Sequence, residues 1–250
     1  MSAPAADAWG LRMNFDSFDL PIQRFLTSFV GKSPMFDHFV HAISRYHTFK
    51  GVVFMSLLVY LWFRETPDGH ERLASKGRGV LLRVLAGSIA IVILSRILQL
   101  LLHIHQRPIV AGLGLNFPSF MEPEWVASST WNSFPSDHSM LFFSLSTGFW
   151  MLDRRFGAFG FIWSLLVIDL PRIYLGIHYP SDVVAGAALG VLCMVGWMRL
   201  PLGGYADRAL AWGGRHRAAF YLIAFVIIDE LGHLFDDIRD VAATFFKHLP

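Results

Sequence analysis

Six polar side chains in a largely apolar chain have the types and spacing for phosphoryl transfer: Arg107, Ser136, His138, Arg172, His178 and Asp182. A phosphate ester is an anion whose oxygens need fixed positive donors, and the planar, permanently charged guanidinium suits that task. Arg107 and Arg172 are of this kind. Attack on phosphorus needs a nucleophile, and departure of the leaving oxygen needs an acid. His178 can attack through one ring nitrogen while Asp182, four residues on, holds the other ring N–H. The two side chains meet if that turn is helical. His138 supplies the acid, and Ser136 adds a hydroxyl donor.

These residues fall into three short motifs, and each stands at the end of an apolar segment. Arg107-Pro108 follows the segment 80–103, Pro135-Ser136-Asp137-His138 opens 139–152, and the run from Arg172 to Asp182 joins 157–175 to 183–198. With 49–63 there are five such segments, each near the ~20 mostly apolar residues that a spanning helix needs. An up-and-down bundle of these helices brings the three motifs to one end. Pro180 fits the first turn of a helix, and Pro135 is read the same way with Ser133 as its cap. Both helix starts would then present free N–H groups to an anion.

Composition agrees with a membrane solvent. Of 250 residues, 54% are hydrophobic and 16% charged, against ~25% charged in a soluble domain. The mean hydropathy is +0.46. A net charge of +2 without a basic run argues against nucleic-acid binding. Cys193, the sole cysteine, forms no intrachain disulfide and reads as a small core residue. The first 14 residues lack the apolar core of a signal peptide. Arg64, Arg72, Lys76, Arg78, Arg154, Arg155, Arg199, Arg208, Arg215 and Arg217 lie on the loops of one side, while the opposite loops hold only Arg107 and Arg172. The positive-inside rule makes the first side cytoplasmic and puts all three motifs outside.

The motifs resemble the phosphatidic acid phosphatase type 2 (PAP2) superfamily, whose signatures read K-x6-R-P, P-S-G-H and S-R-x5-H-x3-D. The resemblance covers roughly residues 96–198. It implies that His178 forms a phosphohistidine, that Asp182 orients it and that His138 is the acid. It implies phosphate binding by Arg107, Ser136, the amide of Asp137 and Arg172, and no metal or other cofactor. Three positions depart from the pattern: Leu100 replaces the Lys, Asp137 the Gly and Pro171 the Ser. Arg96, one turn before Leu100, is a substitute substrate-binding cation; His103 and His105 are further candidates, but alternate residues do not share a helix face and they read as interfacial side chains. An intramembrane arginine is costly unless paired or in a polar cavity, so pairing with Asp169 or snorkelling to the interface are its other readings.

The expected fold is all-α, a polytopic bundle of five to six spans with amphipathic terminal helices. Residues 1–48 form amphipathic interfacial helices or a tilted first span, 49–200 the PAP2-like catalytic core, and 201–250 an apolar helix with an amphipathic tail. The segment 218–228, followed by Asp229, Glu230 and His233, is either a sixth span or a half-embedded helix. Residues 109–132 lack periodicity and read as a lid over the headgroup or chain. His38 and His41 read as a wet helix face.

The variant Pro-Ser-Asp-His form resembles bacterial undecaprenyl-diphosphate phosphatases. The expected partners are a phosphorylated lipid and the bilayer, in a bacterial inner membrane with the site facing the periplasm or exterior. Phosphatidate, phosphatidylglycerophosphate and lipid A are alternative substrates, and phosphotransfer to an alcohol is an alternative outcome. From a different class comes an inactive lipid-binding or transport protein, which Leu100 and Pro171 favour and the complete His138, His178 and Asp182 set opposes.

Overall fold

The computed structural model describes residues 16–64, 71–102, 104, 106–121, 132–201 and 204–235. These residues are helical, with one isolated bridge between Gln106 and Asn132 and no strand among them. In chain order the helices are α1 (Asp16–Thr27), α2 (Pro34–Arg45), α3 (Gly51–Phe63), α4 (Glu71–Leu101), α5 (Asp137–Leu152), α6 (Arg154–Trp163), α7 (Leu170–Tyr174), α8 (Pro180–Arg199), α9 (Tyr205–Arg215) and α10 (Arg217–Gly232). A π-helical turn, Ser164–Asp169, runs α6 into α7 without a break.

Three of these are long and apolar enough to cross a membrane: Lys76–Leu101, Arg154–Tyr174 and Pro180–Arg199. Helices α3 and α5 are apolar but shorter, at 13 and 16 residues. Large apolar side chains such as Ile162, Leu192 and Phe225 remain exposed. A soluble protein would hide them, whereas an integral membrane protein turns them to lipid.

The core sits where α3, α4, α5 and α8 meet, around Phe54, Leu58, Leu81, Val84, Phe142, Leu145 and Met194. Helix α5 is the centre, with its first four turns buried almost throughout. It lies directly on α8. A Cβ at Gly186 would stand 2.6 Å from the Ser136 carbonyl oxygen, and one at Gly190 would strike the Met140 carbonyl. Glycine at these positions lets two backbones touch, as small residues do between membrane helices.

The N-terminal helices are pinned to the motif end of the bundle. Asp19 on α1 accepts the backbone N–H of Ser181 at 2.8 Å and its hydroxyl at 2.6 Å. Gln23 donates to the Ile173 carbonyl at 2.7 Å. Both side chains are buried. The Tyr174 hydroxyl bonds the Asp37 carboxylate on α2, and Trp163 donates to the Phe49 carbonyl at 2.8 Å. The chain from Asp37 on α2 to Phe49 therefore runs alongside the α6–α7 span from its Tyr174 end down to Trp163. There the chain breaks in a 3-10 turn, His47–Phe49, before α3 continues. Lys50 sits buried at that break and donates to the Ser44 carbonyl at 2.6 Å.

Helix α10 packs on α3 from the opposite end. It starts beside Trp62, whose indole N–H donates to Tyr221, and ends with Gly232 against Gly51 and His233 against His47. Its end thus reaches the level of the α2–α3 break. The amphipathic tail expected over 236–249 lies outside the described residues.

The α5–α8 contact gives a direct test. Gly186→Ala should lower stability by about 1–3 kcal/mol, because a backbone carbonyl cannot step aside as a flexible side chain would. The readout is the thermal unfolding midpoint in detergent. Gly196→Ala, on the same helix with nothing within 4 Å of its Cβ position, should leave the midpoint unchanged.

Candidate active site

All six chemistry-bearing residues come together at one end of the bundle. The end of α4 and Arg107 beyond it, the start of α5, the end of α7 and the start of α8 converge there. Ser136, His178 and Asp182 are fully buried, and Arg107, His138 and Arg172 nearly so. The backbone N–H of Ser136 donates to the Asp182 carbonyl at 3.2 Å, which ties the second motif to the third.

Ser136, not Ser133, caps α5: its hydroxyl accepts the Ser139 N–H at 3.3 Å. Pro135 lies before the cap, outside the helix, which corrects the expectation that it occupies the first turn. Ser133 serves elsewhere, as its carbonyl faces Nδ1 of His178 at 3.0 Å. Pro180 does open α8 as expected.

The path to His178 starts at the end of α7. Gly176, at φ +71°, adopts the left-handed conformation that turns the chain out of the helix. Its carbonyl accepts the Ile109 N–H at 3.0 Å, and the Ile177 carbonyl accepts Nη1 of Arg107 at 3.1 Å. The first and third motifs are thereby locked side by side. Burial pushes the Arg107 pKa down to about 10, with Asp137 and Asp182 acting against the shift and Arg172 and Arg96 adding to it. The guanidinium stays charged at neutral pH.

His178 presents one nitrogen and keeps the other occupied. Nδ1 faces the Ser133 carbonyl at 3.0 Å and an Asp182 carboxylate oxygen at 3.5 Å. That same oxygen accepts the Tyr179 N–H at 2.8 Å, forming part of the cap of α8. The carboxylate is thus a charge beside the ring, and Ser133 is the nearer acceptor. Nε2 is buried without a hydrogen-bond partner. Burial holds the His178 pKa down to about 4, against the pull of Asp182 and helped by Arg107 and Arg172. The ring is neutral at physiological pH, with an unshared pair on Nε2.

His138 is held from both sides. Its Nδ1 lies 2.9 Å from Asp137 and its Nε2 lies 2.6 Å from Nη2 of Arg172. A guanidinium only donates, so Nε2 accepts and Nδ1 carries the proton toward Asp137. Arg96 pairs with Asp137 at 2.8 Å, whereas Asp169 accepts the Ser139 hydroxyl at 2.8 Å. Leu100, at the position of the signature lysine, is exposed. His103 and His105 lie outside the described residues.

Several supporting residues carry no motif. Gln99 accepts from Arg96 at 3.1 Å and donates to the Pro135 carbonyl at 2.9 Å. Asn132 bonds the Gln99 carbonyl at 3.1 Å and the Phe134 carbonyl at 2.7 Å, joining α4 to the approach to α5. Asp19 and Gln23 brace the third motif from α1. A single buried polar residue in an irregular or amphipathic stretch gives no periodic signal. Of the expected lid, the described part through Met121 packs on α2, with Phe120 stacked 4.3 Å from the His38 ring and 5.2 Å from that of His41.

Comparison with known proteins agrees with this geometry. The PAP2 superfamily matches residues 112–203. Bacitracin transport permease protein BcrC of Bacillus licheniformis is 28% identical over 183 residues, 72% of this chain and 79% of that protein. The putative undecaprenyl-diphosphatase YbjG of Escherichia coli K12 is 31% identical over 88 residues, 35% of this chain and 40% of that protein. The crystal structure of Aquifex aeolicus LpxE shares the fold, with a TM-score of 0.50 and 22% identity over 73% of this chain and 95% of that one. Sequence signature and family match coincide on the same helices: the residues that match the PAP2 superfamily, 112–203, include the second and third motifs.

Proposed function

We propose that the protein is a lipid phosphatase acting through a phosphohistidine on His178, with a polyprenyl diphosphate, undecaprenyl diphosphate, as its substrate. The observation that carries the mechanism is the His178 ring: neutral, fixed at Nδ1, with a buried and unpartnered Nε2. A histidine kept only for packing would satisfy both nitrogens.

The phosphate is held by Arg107, Arg172 and the Ser136 hydroxyl. Nε2 of His178 donates its electron pair to phosphorus, and the P–N bond forms as the bond to the leaving oxygen breaks. His138, protonated at Nε2, gives that proton to the leaving oxygen. Phosphate binding draws Arg172 from His138, which frees Nε2 to carry the proton. In the second half His138 accepts a proton from water as the water oxygen attacks phosphorus. The P–N bond breaks, its electrons return to His178, and inorganic phosphate leaves. Asp182 favours the positive ring of the intermediate through its charge.

The diphosphate reading is supported by the Pro-Ser-Asp-His form and by the similarity to a putative undecaprenyl-diphosphatase. The outward orientation is supported by the loop arginines at the far end, where Arg64 pairs with Asp153 at 2.8 Å. Together they support a site at the outer leaflet of a bacterial inner membrane.

Purified protein in detergent should release phosphate from undecaprenyl diphosphate faster than from phosphatidate, phosphatidylglycerophosphate or lipid A. An acceptor lipid in the same panel would reveal transfer instead of hydrolysis. His178→Ala should reduce release by at least about a hundredfold, and it should abolish acid-labile labelling of the protein by substrate carrying radioactive phosphorus. Activity in that variant would overturn the mechanism.

The pH profile follows from the same geometry. His178 must be neutral to attack, and burial lowers its pKa to about 4. The acid limb of kcat/KM should therefore lie near pH 4, well below the ordinary histidine value of about 6.5. The value of kcat/KM should fall as pH drops through that limb, whereas kcat, which reports the substrate-bound enzyme with Arg172 drawn off His138, should fall at higher pH as His138 loses its proton. An acid limb at the ordinary value would count against His178 as the buried nucleophile.

A further inference from the structure

Asp137 stands where the superfamily signature has glycine, and its carboxylate is aimed at a histidine. One oxygen accepts the backbone N–H of His138 at 2.8 Å and faces the Nδ1 of that residue at 2.9 Å. The other pairs with Nη2 of Arg96 at 2.8 Å. Arg96 also donates to Gln99 at 3.1 Å, and Gln99 reaches the Pro135 carbonyl at 2.9 Å. Asp137, His138 and Gln99 are all buried. A continuous chain of polar contacts thus runs from the end of α4 through Arg96 and Asp137 to the ring of His138.

We propose that Asp137 is a positioning residue for the acid, fixing the His138 ring and stabilising its imidazolium, and that Arg96 serves the reaction by holding Asp137. This rests on the reading of His138 as the acid.

The two histidines show why such a carboxylate is needed. Both are gripped at Nδ1; Nε2 of His178 is open, and Nε2 of His138 is freed when phosphate draws Arg172 away. His178 meets a neutral carbonyl at 3.0 Å, with its carboxylate farther off at 3.5 Å. That environment suits a neutral nucleophile. His138 meets a carboxylate directly, which suits a ring that must become positive. A buried imidazolium beside other cations is unfavourable, and an opposite charge in contact offsets this. The cations acting on His138 are Arg172 from α7 and Lys50 from the α2–α3 break. Arg96 and Arg107 act on Asp137 from the end of α4 and beyond it. Asp169, the other acid nearby, is engaged with the Ser139 hydroxyl. Among the described residues Asp137 is the carboxylate in contact with the ring. Arg96 keeps Asp137 ionised and prevents it from swinging toward the phosphate site, where an anion would repel substrate.

The test compares wild type, Asp137→Asn, Asp137→Gly and the double variant Arg96→Gln with Asp137→Asn, which removes both charges together. Asparagine keeps a hydrogen-bond acceptor for Nδ1 and removes the charge. With farnesyl diphosphate as the probe, loss of the carboxylate should move the basic limb of kcat downward by about 1–3 pH units, leaving the acid limb in place. A second measurement uses phenyl phosphate, whose leaving oxygen needs a proton, and 4-nitrophenyl phosphate, whose leaving oxygen needs it far less. The rate loss in Asp137→Asn should be about tenfold or more greater for phenyl phosphate, with KM little changed. Arg96→Lys, which keeps a cation for Asp137, should retain most of the wild-type profile.

His138→Ala should show the same leaving-group selectivity, and His178→Ala should be inactive on every probe. If those two controls fail, the reading of the site falls and takes this inference with it. If they hold while the Asp137 variants keep the wild-type basic limb and leaving-group pattern, only the role given to Asp137 and Arg96 falls. A large rise in KM in Arg96→Gln with Asp137→Asn, at unchanged kcat and basic limb, would also overturn it, since that outcome makes Arg96 a substrate contact.

Discussion

The backbone contact between α5 and α8 is the constraint on which the rest of the site depends. Gly186 and Gly190 allow the two helices to meet at carbonyl distance, and the Ser136 N–H closes the contact by donating to Asp182. That junction joins the helix start carrying Ser136 and His138 to the one carrying His178 and Asp182. Side chains placed by touching backbones have little room to drift, and catalysis by preorganised donors requires that rigidity. The other elements add to this pair: Arg107 locks onto the Ile177 carbonyl, and Asp19 grips Ser181 from outside.

The concentration of charge inside a membrane protein explains the supporting network. Arginines and aspartates at this depth are tolerated when paired or set in a polar cavity. Arg96 with Asp137, and Arg172 with His138, meet that condition through contacts of 2.6 to 2.8 Å. Gln99 and Asn132 then occupy the carbonyls exposed where α4 ends and where the chain approaches α5. A polar group buried this deeply finds its partners in the protein.

How much of this was legible in the sequence depended on whether the signal was local. The apolar segments gave the helices of the core, and Pro180 marked the start of α8 correctly. Arg172, His178 and Asp182 were legible as a group because the short stretch from the end of α7 to the first turn of α8 carries all three. Pro135 misled, since proline suits both the first helical turn and the residues before a cap; only the Ser136 side chain, folded back on Ser139, decides between them. Asp19, Gln23 and Asn132 were illegible for a different reason. Their partners lie up to 162 residues away, and no periodicity encodes a distant hydrogen bond.

That last distance has a consequence for assembly. Helix α1 is the first described element to leave the ribosome, yet its partners on Ser181 and Ile173 are made some 150 or more residues later. Contacts of such sequence separation form late and slow the search for the native state. Until then the Asp19 carboxylate and the Gln23 amide must stay hydrated at the membrane surface. The brace around the third motif is therefore set by an element made well before the spans it secures, acting as a latch that closes only after those spans have been inserted.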